Sequence, residues 1–300
     1  MIFKGEKSLK NVLNESELKV VAKVCAQKLE DYFSKYNGAI IAYSGGVDSA
    51  LMAYVVHLVL DNRMIAVIAD SPSLARREYH LALSFARDYG IPLKIVRTDE
   101  IKNPLYKANQ GNRCYYCKKA LFEKLEELRE QLEGPLSDST WPLFYGVNKD
   151  DLEDYRPGIQ AAREASVLSP YIELDIDKMM IRELCAHYGL EIAEKPAMPC
   201  ISSRIIYGKE VTLEKLNQVE KAEDLLYQLG LKVLRVRHHG DTARIEVLPE
   251  DFEVLFENRK KISKKFHELG FIYVSLDLDG FRSGSLNDVI KSKSAPLVIT

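Results

Sequence analysis

The sequence predicts an α/β fold in which a parallel-sheet domain precedes a smaller C-terminal α+β domain. Over roughly the first two thirds of the 300 residues, short apolar runs alternate with amphipathic helix patterns. This alternation is typical of a parallel sheet covered by helices on both faces. Near residue 200 the pattern changes to a long amphipathic helix, a hairpin, a further helix and a strand. We therefore expect a first domain over 1–200 and a second over 201–300.

Apolar residues at helical or strand spacing set the bounds of each element. In residues 15–36, for example, Leu18, Ala22 and Leu29 share one face of a helix. Ligands of parallel sheets bind outside the carboxyl ends of the strands, so we expect the ligand-binding site at those ends. Further helices are expected at 48–60, 74–89, 114–132, 158–165, 177–188, 212–229 and 250–269, and strands at 39–43, 64–69, 93–97, 143–147, 233–236, 243–248 and 271–276.

The composition, with 46% hydrophobic residues and a net charge of −2, indicates a globular chain without general attraction to nucleic acid or anionic membranes. Residues 1–7 lack the apolar core of a signal peptide. The longest apolar stretch, Leu51 to Leu60, is too short to span a bilayer and is interrupted by His57. We expect a cytoplasmic protein that binds neither nucleic acid nor membrane.

The most informative motif is the turn between the first strand and the second helix. Glycines let the backbone approach an anion closely, and amides at a helix start converge on phosphate. The spacing differs from the Gly-x4-Gly-Lys loop of kinase-type nucleotide enzymes. Asp48 would hold magnesium beside a triphosphate, or would only complement the helix dipole. The turn, named below the glycine turn, consists of Ser44, Gly45, Gly46, Val47, Asp48 and Ser49.

Two further strand ends carry candidate nucleotide-binding residues. Ala69, Asp70 and Ser71 would meet adenine or ribose, although Asp70 is equally well explained as a turn former. Residues 146–158 are dense in carboxylates, which would coordinate magnesium or orient an arginine; a solvated acidic loop is the alternative. The candidates of this segment are Gly146, Asn148, Asp151, Asp154 and Arg156.

Five cysteines, an odd number, argue against a disulfide framework. Cys25 and Cys185 fit helix cores. Cys114 and Cys117 open a helix, which lowers the pKa of a thiol, and Cys200 lies in a proline-containing loop. Three thiolates suit an iron–sulfur cluster with one open iron site, or zinc together with a histidine. The nearest histidines, His187, His238 and His239, have no recognisable spacing, so cluster, zinc and unrelated roles all stay open at this point.

Arginines cluster on the predicted C-terminal hairpin. Arg235 and Arg237 on one strand, with Arg244 across the turn, form a set that recognises phosphate or carboxylate with bidentate geometry. The alternative is an exposed sheet face whose charge is balanced by Glu246.

The glycine turn resembles the pyrophosphate loop of the PP-loop ATP pyrophosphatase superfamily, whose fold is adenine nucleotide alpha hydrolase-like. The ordered set of motifs over about residues 15–280 resembles the LarE family. LarE proteins are ATP-dependent sulfur transferases that release AMP and pyrophosphate. They convert the carboxylates of pyridinium-3,5-biscarboxylic acid mononucleotide to thiocarboxylates, giving the precursor of the nickel-pincer nucleotide of lactate racemase. The resemblance implies ATP, Mg²⁺ and this mononucleotide as ligands, and a higher oligomer such as a hexamer.

The family has two forms. In one, a single cysteine at the position of Cys200 gives up its sulfur. In the other, three cysteines bind a 4Fe-4S cluster whose unique iron carries a transferable sulfide. This chain has Cys114, Cys117 and Cys200, so the resemblance favours the cluster form, recharged by sulfide or a sulfur donor protein.

The resemblance also implies individual roles. The glycine turn would bind the β and γ phosphates, and Lys118 would approach the α phosphate. Ser203 and Arg204 would flank the sulfur site. The phosphate of the mononucleotide, or a second phosphate-like ligand, would be bound by Arg235, Arg237 and Glu246.

Three other functions compete with this interpretation. A PP-loop tRNA thiolase with the same cluster should bind tRNA with steep salt dependence, which the slightly negative net charge does not favour. An amidating NAD or GMP synthetase would leave the three cysteines without a purpose. A non-catalytic ATP-binding regulatory protein would bind ATP but release no pyrophosphate with any acid substrate.

Overall fold

The protein has the elements of an α/β chain, close to their predicted positions. The computed structural model describes residues 14–133, 140–152, 157–196, 198–282 and 284–287. The described strands are β1 (Ala39–Ala42), β2 (Met64–Asp70), β3 (Leu93–Arg97), β4 (Leu143–Tyr145), β5 (Leu234–His238), β6 (Thr242–Val247) and β7 (Tyr273–Leu276). The described α-helices are α1 (Glu15–Phe33), α2 (Val47–Leu60), α3 (Arg76–Asp88), α4 (Pro104–Lys107), α5 (Arg113–Glu133), α6 (Pro157–Glu164), α7 (Pro170–Glu173), α8 (Lys178–His187), α9 (Leu213–Gln228), α10 (Phe252–Glu257) and α11 (Arg259–Glu268).

The first four strands form one parallel sheet, which confirms the predicted α/β fold. Their order is β3-β2-β1-β4, and Ile41 of β1 pairs with Ala66 on one side and Phe144 on the other. All four residues of β1 are buried, as expected for an unbroken apolar strand at the centre of a parallel sheet. The carboxyl ends of β1, β2 and β4 therefore lie at one edge of the sheet.

Neighbouring residues of β4 contact two different helical layers. Leu143 belongs to one core cluster with Leu121 and Phe122 of α5. The ring of Phe144 lies 5.2 Å from the ring of Phe33 of α1, in an edge-on arrangement. Because successive strand residues point to opposite faces, α5 and α1 cover opposite faces of the sheet.

The last three strands form a second, smaller sheet. β5 and β6 are an antiparallel hairpin, and β7 pairs in parallel with β6. The core of this part joins Val236 and Ile245 of the sheet with Leu226 of α9 and Phe266 of α11. The second sheet and its helices lie in the region after residue 200, for which an α+β domain stays a prediction.

The region 250–269, expected as one helix, contains two. α10 ends at Glu257 and α11 begins at Arg259. The side-chain amide of Asn258, between them, donates to the carbonyl of Val254 at 2.9 Å. Asparagine is prone to such local side-chain hydrogen bonds, which compete with the helical backbone pattern.

Contacts within the chain divide it into two compact units that are interleaved in sequence. Unit 1 comprises Met1–Asp70, Arg76–Thr98 and Cys114–Met198, and unit 2 comprises Ser71–Ala75, Asp99–Arg113 and Pro199–Thr300. The predicted division at residue 200 had placed 71–75 and 99–113 in the first domain. In the described ranges, no helix is long and apolar enough to cross a bilayer.

One buried side chain explains why residues 99–113 belong to unit 2. The amide of Asn109 donates to the carbonyls of Ile205, Ile206 and Lys209 at 2.9–3.2 Å. Asn109 is fully buried, and buried carbonyls need hydrogen-bond partners. These bonds join segments almost a hundred residues apart, a pairing that no local sequence pattern encodes.

Candidate functional site

The glycine turn connects β1 to the first turn of α2 and is held by its own hydroxyl groups. The hydroxyl of Ser49 accepts from the backbone N–H of Ser44 at 3.1 Å and donates to the carbonyl of Gly46 at 3.1 Å. Gly46 is the N-cap of α2 and supplies no side chain to its first amides. Free amides at a helix start form an anion site. The local geometry is therefore that of a phosphate-binding turn.

Two glycines allow backbones to come together around this turn. Gly45 has φ of +73°, and a Cβ there would collide with the Cβ of Ala82 on α3. A Cβ on Gly146, just after β4, would lie 3.1 Å from the backbone nitrogen of Ser49. A side chain at either position would force the turn away from its neighbours.

Asp48, the second residue of α2, is held by three groups from later in unit 1. Its Oδ1 accepts from the side-chain amide of Asn148 at 3.2 Å, and its Oδ2 lies 2.5 Å from the ammonium of Lys178. The hydroxyl of Tyr171 donates to the backbone carbonyl of Asp48 at 2.9 Å. The carboxylate remains 23% exposed, and its oxygens are of the kind that Mg²⁺ prefers. Asp48 therefore fits the predicted magnesium role.

The carboxylates of the acidic segment after β4 form hydrogen bonds within that segment and to the start of α8. Asp151 accepts from the backbone N–H of Asn148 at 3.1 Å, and the side chain of Asn148 accepts from the N–H of Asp150 at 3.0 Å. Asp150 accepts from the N–H of Lys178, the first residue of α8, at 2.8 Å. Of the predicted residues of this segment, Asp154 and Arg156 lie outside the described residues.

A second lysine reaches the glycine turn from the segment after α8. The ammonium of Lys195 donates to the carbonyl of Gly45 at 2.9 Å and pairs with Glu78 of α3 at 2.7 Å. Both side chains of this ion pair are largely buried. Lys178 and Lys195 were absent from the predicted site because they lie 130 and 150 residues along the chain from their partners in the turn. No spacing pattern could have found them.

At the carboxyl end of β2, Asp70 forms an ion pair and Ser71 belongs to the other unit. Asp70 pairs with Arg76 at the start of α3, at 2.6 Å. Ala69 is half-buried beside it. Ser71 belongs to unit 2, where its hydroxyl donates to the buried carboxylate of Glu100 and accepts from the N–H of Ser73.

Cys114 and Cys117 are the second and fifth residues of α5. Three residues apart, they share one face of the helix; Cys114 is exposed and Cys117 half-buried. The next residue, Lys118, places its ammonium 4.8 Å from the ring centre of Tyr145 at the end of β4. A Cβ on Gly158 of α6 would lie 3.0 Å from the Cγ of Lys118, so this glycine makes room for the lysine stem.

The surroundings of Lys118 keep it charged. Burial lowers the pKa of Lys118, but the Tyr145 hydroxyl and the thiols of Cys117 and Cys114 outweigh burial and raise the pKa above its ordinary value. A permanently protonated lysine suits a position beside phosphate oxygens.

Cys200 precedes a single helical turn, Ile201–Arg204, in unit 2. Its sulfur lies 3.1 Å from the hydroxyl of Ser202. Burial raises the pKa of the Cys200 thiol, but nearby charges and hydrogen bonds outweigh burial and leave the pKa below its ordinary value. These groups are Arg113, Ser202, Arg204 and the backbone of Ser203. A thiol in this setting favours the thiolate, the form that ligates metals and attacks electrophiles.

Arg204 is fully buried and bridges the segment Cys200–Arg204, named below the cysteine turn, to α9. Its guanidinium makes two bonds to Glu223, at 2.9 and 3.1 Å, and donates to the carbonyl of Cys200 at 3.2 Å. The same carboxylate accepts from the backbone N–H of Val236 on β5 at 3.0 Å. Arg204 therefore fixes the backbone of the cysteine turn.

Arg235 and Arg237 are buried and Arg244 is half-buried, which contradicts the alternative of an exposed sheet face. Burial, followed by the charge of Arg204, lowers the pKa of Arg235 to about 10, and its guanidinium lies 5.1 Å from the ring centre of Phe281. Arg237 donates to the fully buried Glu246 at 2.9 Å and to the carbonyl of Ser203 at 3.1 Å.

Glu246 is surrounded by cationic groups. Its two oxygens accept from Arg237 and from Arg244, the latter at 2.7 Å, and the hydroxyl of Ser285 lies within 3.4 Å of both. A carboxylate so occupied orients the guanidinium groups around it.

Among the described residues, no three histidine, cysteine, aspartate or glutamate side chains lie close enough together to hold a metal ion. Cys114 and Cys117 belong to unit 1, and Cys200 belongs to unit 2.

Comparisons with known proteins place the chain among relatives of similar length. A family model described as NAD synthase matches residues 18–122. The chain is 36% identical over 255 residues to the pyridinium-3,5-bisthiocarboxylic acid mononucleotide synthase of Lactiplantibacillus plantarum, covering 83% of the chain and 89% of that protein. It is 43% identical to an uncharacterized protein of Synechocystis sp., covering 88% and 97%, and 30% identical to one of Methanocaldococcus jannaschii, covering 81% and 90%.

Proposed function

The chain belongs to the LarE family of PP-loop sulfur transferases, and we propose that it converts pyridinium-3,5-biscarboxylic acid mononucleotide to the bisthiocarboxylic acid with ATP. The observation that carries the proposal is the glycine turn, whose backbone and hydroxyl geometry at the start of α2 is suited to bind phosphate. The product of this reaction is the precursor of the nickel-pincer nucleotide, so the protein would act in maturation of lactate racemase.

The reaction needs activation because a carboxylate is a poor electrophile with a poor leaving group. A substrate carboxylate oxygen attacks the α phosphorus of ATP and pyrophosphate leaves. Sulfide then adds to the acyl carbon of the adenylate, and AMP departs with the oxygen. Each thiocarboxylate consumes one ATP, so two carboxylates require two rounds.

Residues of unit 1 bind the phosphates of ATP and offset the negative charge that develops during adenylation. The glycine turn holds the β and γ phosphates, which become the leaving pyrophosphate. Lys118, whose raised pKa keeps it protonated, offsets charge that develops on the α phosphate. Asp48 would hold Mg²⁺, which when bound neutralises phosphate oxygens.

Sulfur delivery is assigned to the three cysteines. Cys114 and Cys117 present two thiols from one helix face, and the pKa of the Cys200 thiol is lowered. Three thiolates are a suitable donor set for a 4Fe-4S cluster with one open iron position. Such a cluster, when bound, supplies transferable sulfide, renewed by sulfide or a sulfur donor protein. A sacrificial Cys200 would leave the other two cysteines without a role.

The second unit would recognise the mononucleotide. Arg235 and Arg237 are the phosphate-binding candidates, and the burial that lowers the pKa of Arg235 to about 10 favours a bound anion. Glu246 contributes by holding Arg237 in place. We include in the proposal that the protein acts as a homo-oligomer, as large as a hexamer.

Metal analysis tests the sulfur assignment. We expect protein purified without oxygen to contain about four iron atoms per cluster, with matching acid-labile sulfide. Cys114→Ala should lose this iron, because two thiolates do not hold the cluster, whereas the matched control Cys25→Ala should keep it. Iron-free protein that turns over once, with Cys200 losing its sulfur, would instead establish the sacrificial route.

Product analysis tests the substrate assignment. Incubated with ATP, Mg²⁺, sulfide and the pyridinium biscarboxylate mononucleotide, the protein should release AMP and pyrophosphate and form the thiocarboxylate, detected by mass spectrometry. Cys200→Ala should abolish thiolation and leave ATP binding largely intact. Thiolation of tRNA in place of the mononucleotide, with binding that weakens steeply with salt, would favour the competing tRNA enzyme.

A further inference from the structure

The peptide unit that follows Cys200 is held at both of its polar groups. Its carbonyl accepts from the guanidinium of Arg204 at 3.2 Å and from the N–H of Ser203 at 2.9 Å. Its N–H, which belongs to Ile201, donates to the backbone carbonyl of Ser73 at 2.8 Å. Because a peptide unit is planar, hydrogen bonds at both groups fix the plane next to which the Cys200 side chain projects.

The bond to Ser73 matters because the cysteine turn has no side-chain cap of its own. Cys200 precedes the helical residues with an extended backbone, φ −56° and ψ 149°, and its side chain does not cap them. The first N–H groups of a helical turn have no partner within the turn, and buried polar groups need one. The carbonyl of Ser73 supplies such a partner from a segment far earlier in the chain. The position of the cysteine turn therefore depends on where Ser73 is held.

Ser73 is in turn held by buried polar side chains of unit 2. Its N–H donates to the hydroxyl of Ser71 at 3.0 Å, and that hydroxyl donates to the carboxylate of Glu100. The hydroxyl of Ser73 is hydrogen-bonded to the hydroxyl of Tyr106. All four side chains are buried, and all belong to the same unit as the cysteine turn. Ser73 is thus bound at its N–H, its hydroxyl and its carbonyl, and the last of these meets the residue after Cys200.

Tyr106 contributes direction to this network as well as bulk. It lies on α4, within the inserted segment 99–113, and is 1% exposed. Phenylalanine has nearly the same shape and needs no hydrogen-bond partner when buried, whereas a tyrosine hydroxyl does. Packing alone therefore does not require the hydroxyl. Its visible effect is to orient Ser73, whose carbonyl orients the start of the cysteine turn.

We propose that Tyr106 is a positioning residue of the sulfur site: through Ser73 it fixes the peptide unit after Cys200, and with it the direction of the Cys200 sulfur. This role rests on the proposed part of Cys200 in sulfur delivery. Sulfur that must meet an acyl adenylate needs a fixed approach, because a small misplacement of a reacting group lowers the rate strongly. The glycine turn belongs to unit 1 and makes no use of this network, so Tyr106 should affect sulfur transfer and not ATP binding.

Hydrogen exchange of protein purified without oxygen is the first test, followed by mass spectrometry at the amide of Ile201. Tyr106→Phe keeps the ring and removes the hydroxyl, so this amide should exchange about fivefold faster, the factor expected for one weakened neutral hydrogen bond. Tyr32→Phe is the matched control. Tyr32 is a buried tyrosine of unit 1 whose hydroxyl donates to Glu173 at 2.9 Å, and its loss should leave exchange at Ile201 unchanged.

Steady-state kinetics is the second test, with ATP, Mg²⁺, sulfide and the pyridinium biscarboxylate mononucleotide. Tyr106→Phe should lower kcat for thiolation about tenfold and leave KM for ATP unchanged. Ser73→Ala should do the same, and the double variant should be no slower than either single one, because both act through one hydrogen bond. A merely structural role predicts lower stability in Tyr106→Phe and in Tyr32→Phe alike, with kcat and exchange at Ile201 unchanged.

The outcomes separate the positioning role from the proposed function. Wild-type protein that forms no thiocarboxylate from the mononucleotide overturns the proposed function. Wild-type protein that forms it, together with a Tyr106→Phe variant in which either kcat or exchange at Ile201 is unchanged, overturns the positioning role alone. Circular dichroism shows whether each variant is folded, and Ser73→Ala replaces Tyr106→Phe in both tests if the latter is not.

Discussion

Gly45 shows how a single residue sets the phosphate site. A side chain there meets two separate penalties, the positive φ of +73° and the collision with Ala82. Gly189 lies in the same unit with φ of +68° and has no atom within 4 Å of an added Cβ. A comparison of alanine substitutions at Gly45 and Gly189 therefore separates the effect of backbone strain from the effect of steric collision.

We predict that Gly45→Ala loses nucleotide binding, while Gly189→Ala retains it. Each variant should lose about 1–2 kcal/mol of unfolding free energy from left-handed backbone strain, and only Gly45→Ala should also displace the turn from α3. Urea unfolding and calorimetric titration with α,β-methylene ATP measure the two quantities. Unchanged nucleotide affinity in Gly45→Ala would mean that phosphate is bound elsewhere.

Residues of the site differ in how far the sequence could predict them. The glycine turn was identifiable because its six residues are consecutive and lie between a strand and a helix. Lys178 and Lys195 were not, since each meets the turn only through the fold. The charge of Glu246 was visible in the sequence, but its burial between Arg237 and Arg244 was not.

The elements themselves follow closely from apolar spacing. β1, β2 and β4 are short, mostly buried runs, β3 is a partly exposed strand at the sheet edge, and α2 begins at Val47 within the glycine turn, so local pattern is sufficient to predict them. The break at Asn258 was missed because the apolar spacing of α10 continues into α11. Sequence pattern alone does not show that residues 99–113 belong to unit 2, because the hydrogen bonds of Asn109 reach residues after 200.

Glu223 connects three elements of unit 2. Its carboxylate binds Arg204 of the Ile201–Arg204 turn and the N–H of Val236 on β5, from its own position on α9. Arg204 is 2% and Glu223 6% exposed in this pair. Removing one member of a buried pair leaves the other charge uncompensated.

We predict that Glu223→Gln lowers the unfolding free energy by about 3–5 kcal/mol, as measured by urea denaturation. The matched control Glu15→Gln breaks the exposed pair with Lys19 and should leave the unfolding free energy nearly unchanged. The cysteine turn should loosen with the lost pair, so Cys200 should react faster with a thiol reagent. A small change in Glu223→Gln, matching the control, would show that the carboxylate is solvated and not part of the core.

At the scale of the whole molecule, stability rests on two units, each with its own sheet and core. Unit 2 contains several buried charged or titratable side chains, among them Arg204, Glu223, Arg235, Arg237, Glu246 and His238. His238 is buried; its Nε2 lies 3.0 Å from the amide oxygen of Gln218, and its Nδ1 accepts from the N–H of Gly240. This arrangement fixes the neutral ring with its proton on Nε2.

Unit 2 should therefore lose stability in mild acid. Burial, followed by the charge of Lys215, lowers the pKa of His238 from 6.5 to about 4. The unfolded chain takes up a proton near pH 6.5 but the folded protein does not, so the stability is complete above pH 6.5 and falls as the pH drops toward 4. Protonation of His238 in the unfolded chain lowers the unfolding free energy by about 3 kcal/mol over this range. Burial also lowers the pKa of His239, in the same direction.

We predict that urea unfolding between pH 7.5 and pH 4.5 shows this decline and that His238→Gln flattens it. At pH 7.5 the variant should be less stable than the wild type, because it loses packing and a hydrogen bond. On acidification it should lose less stability than the wild type, because glutamine does not take up a proton. His57→Gln, a histidine substitution in unit 1, is the matched control and should keep the wild-type slope. If unfolding separates into two transitions, the effect should fall on the transition of unit 2. Equal slopes in the wild type and His238→Gln would show that the ring takes up its proton at the same pH in the folded and the unfolded protein.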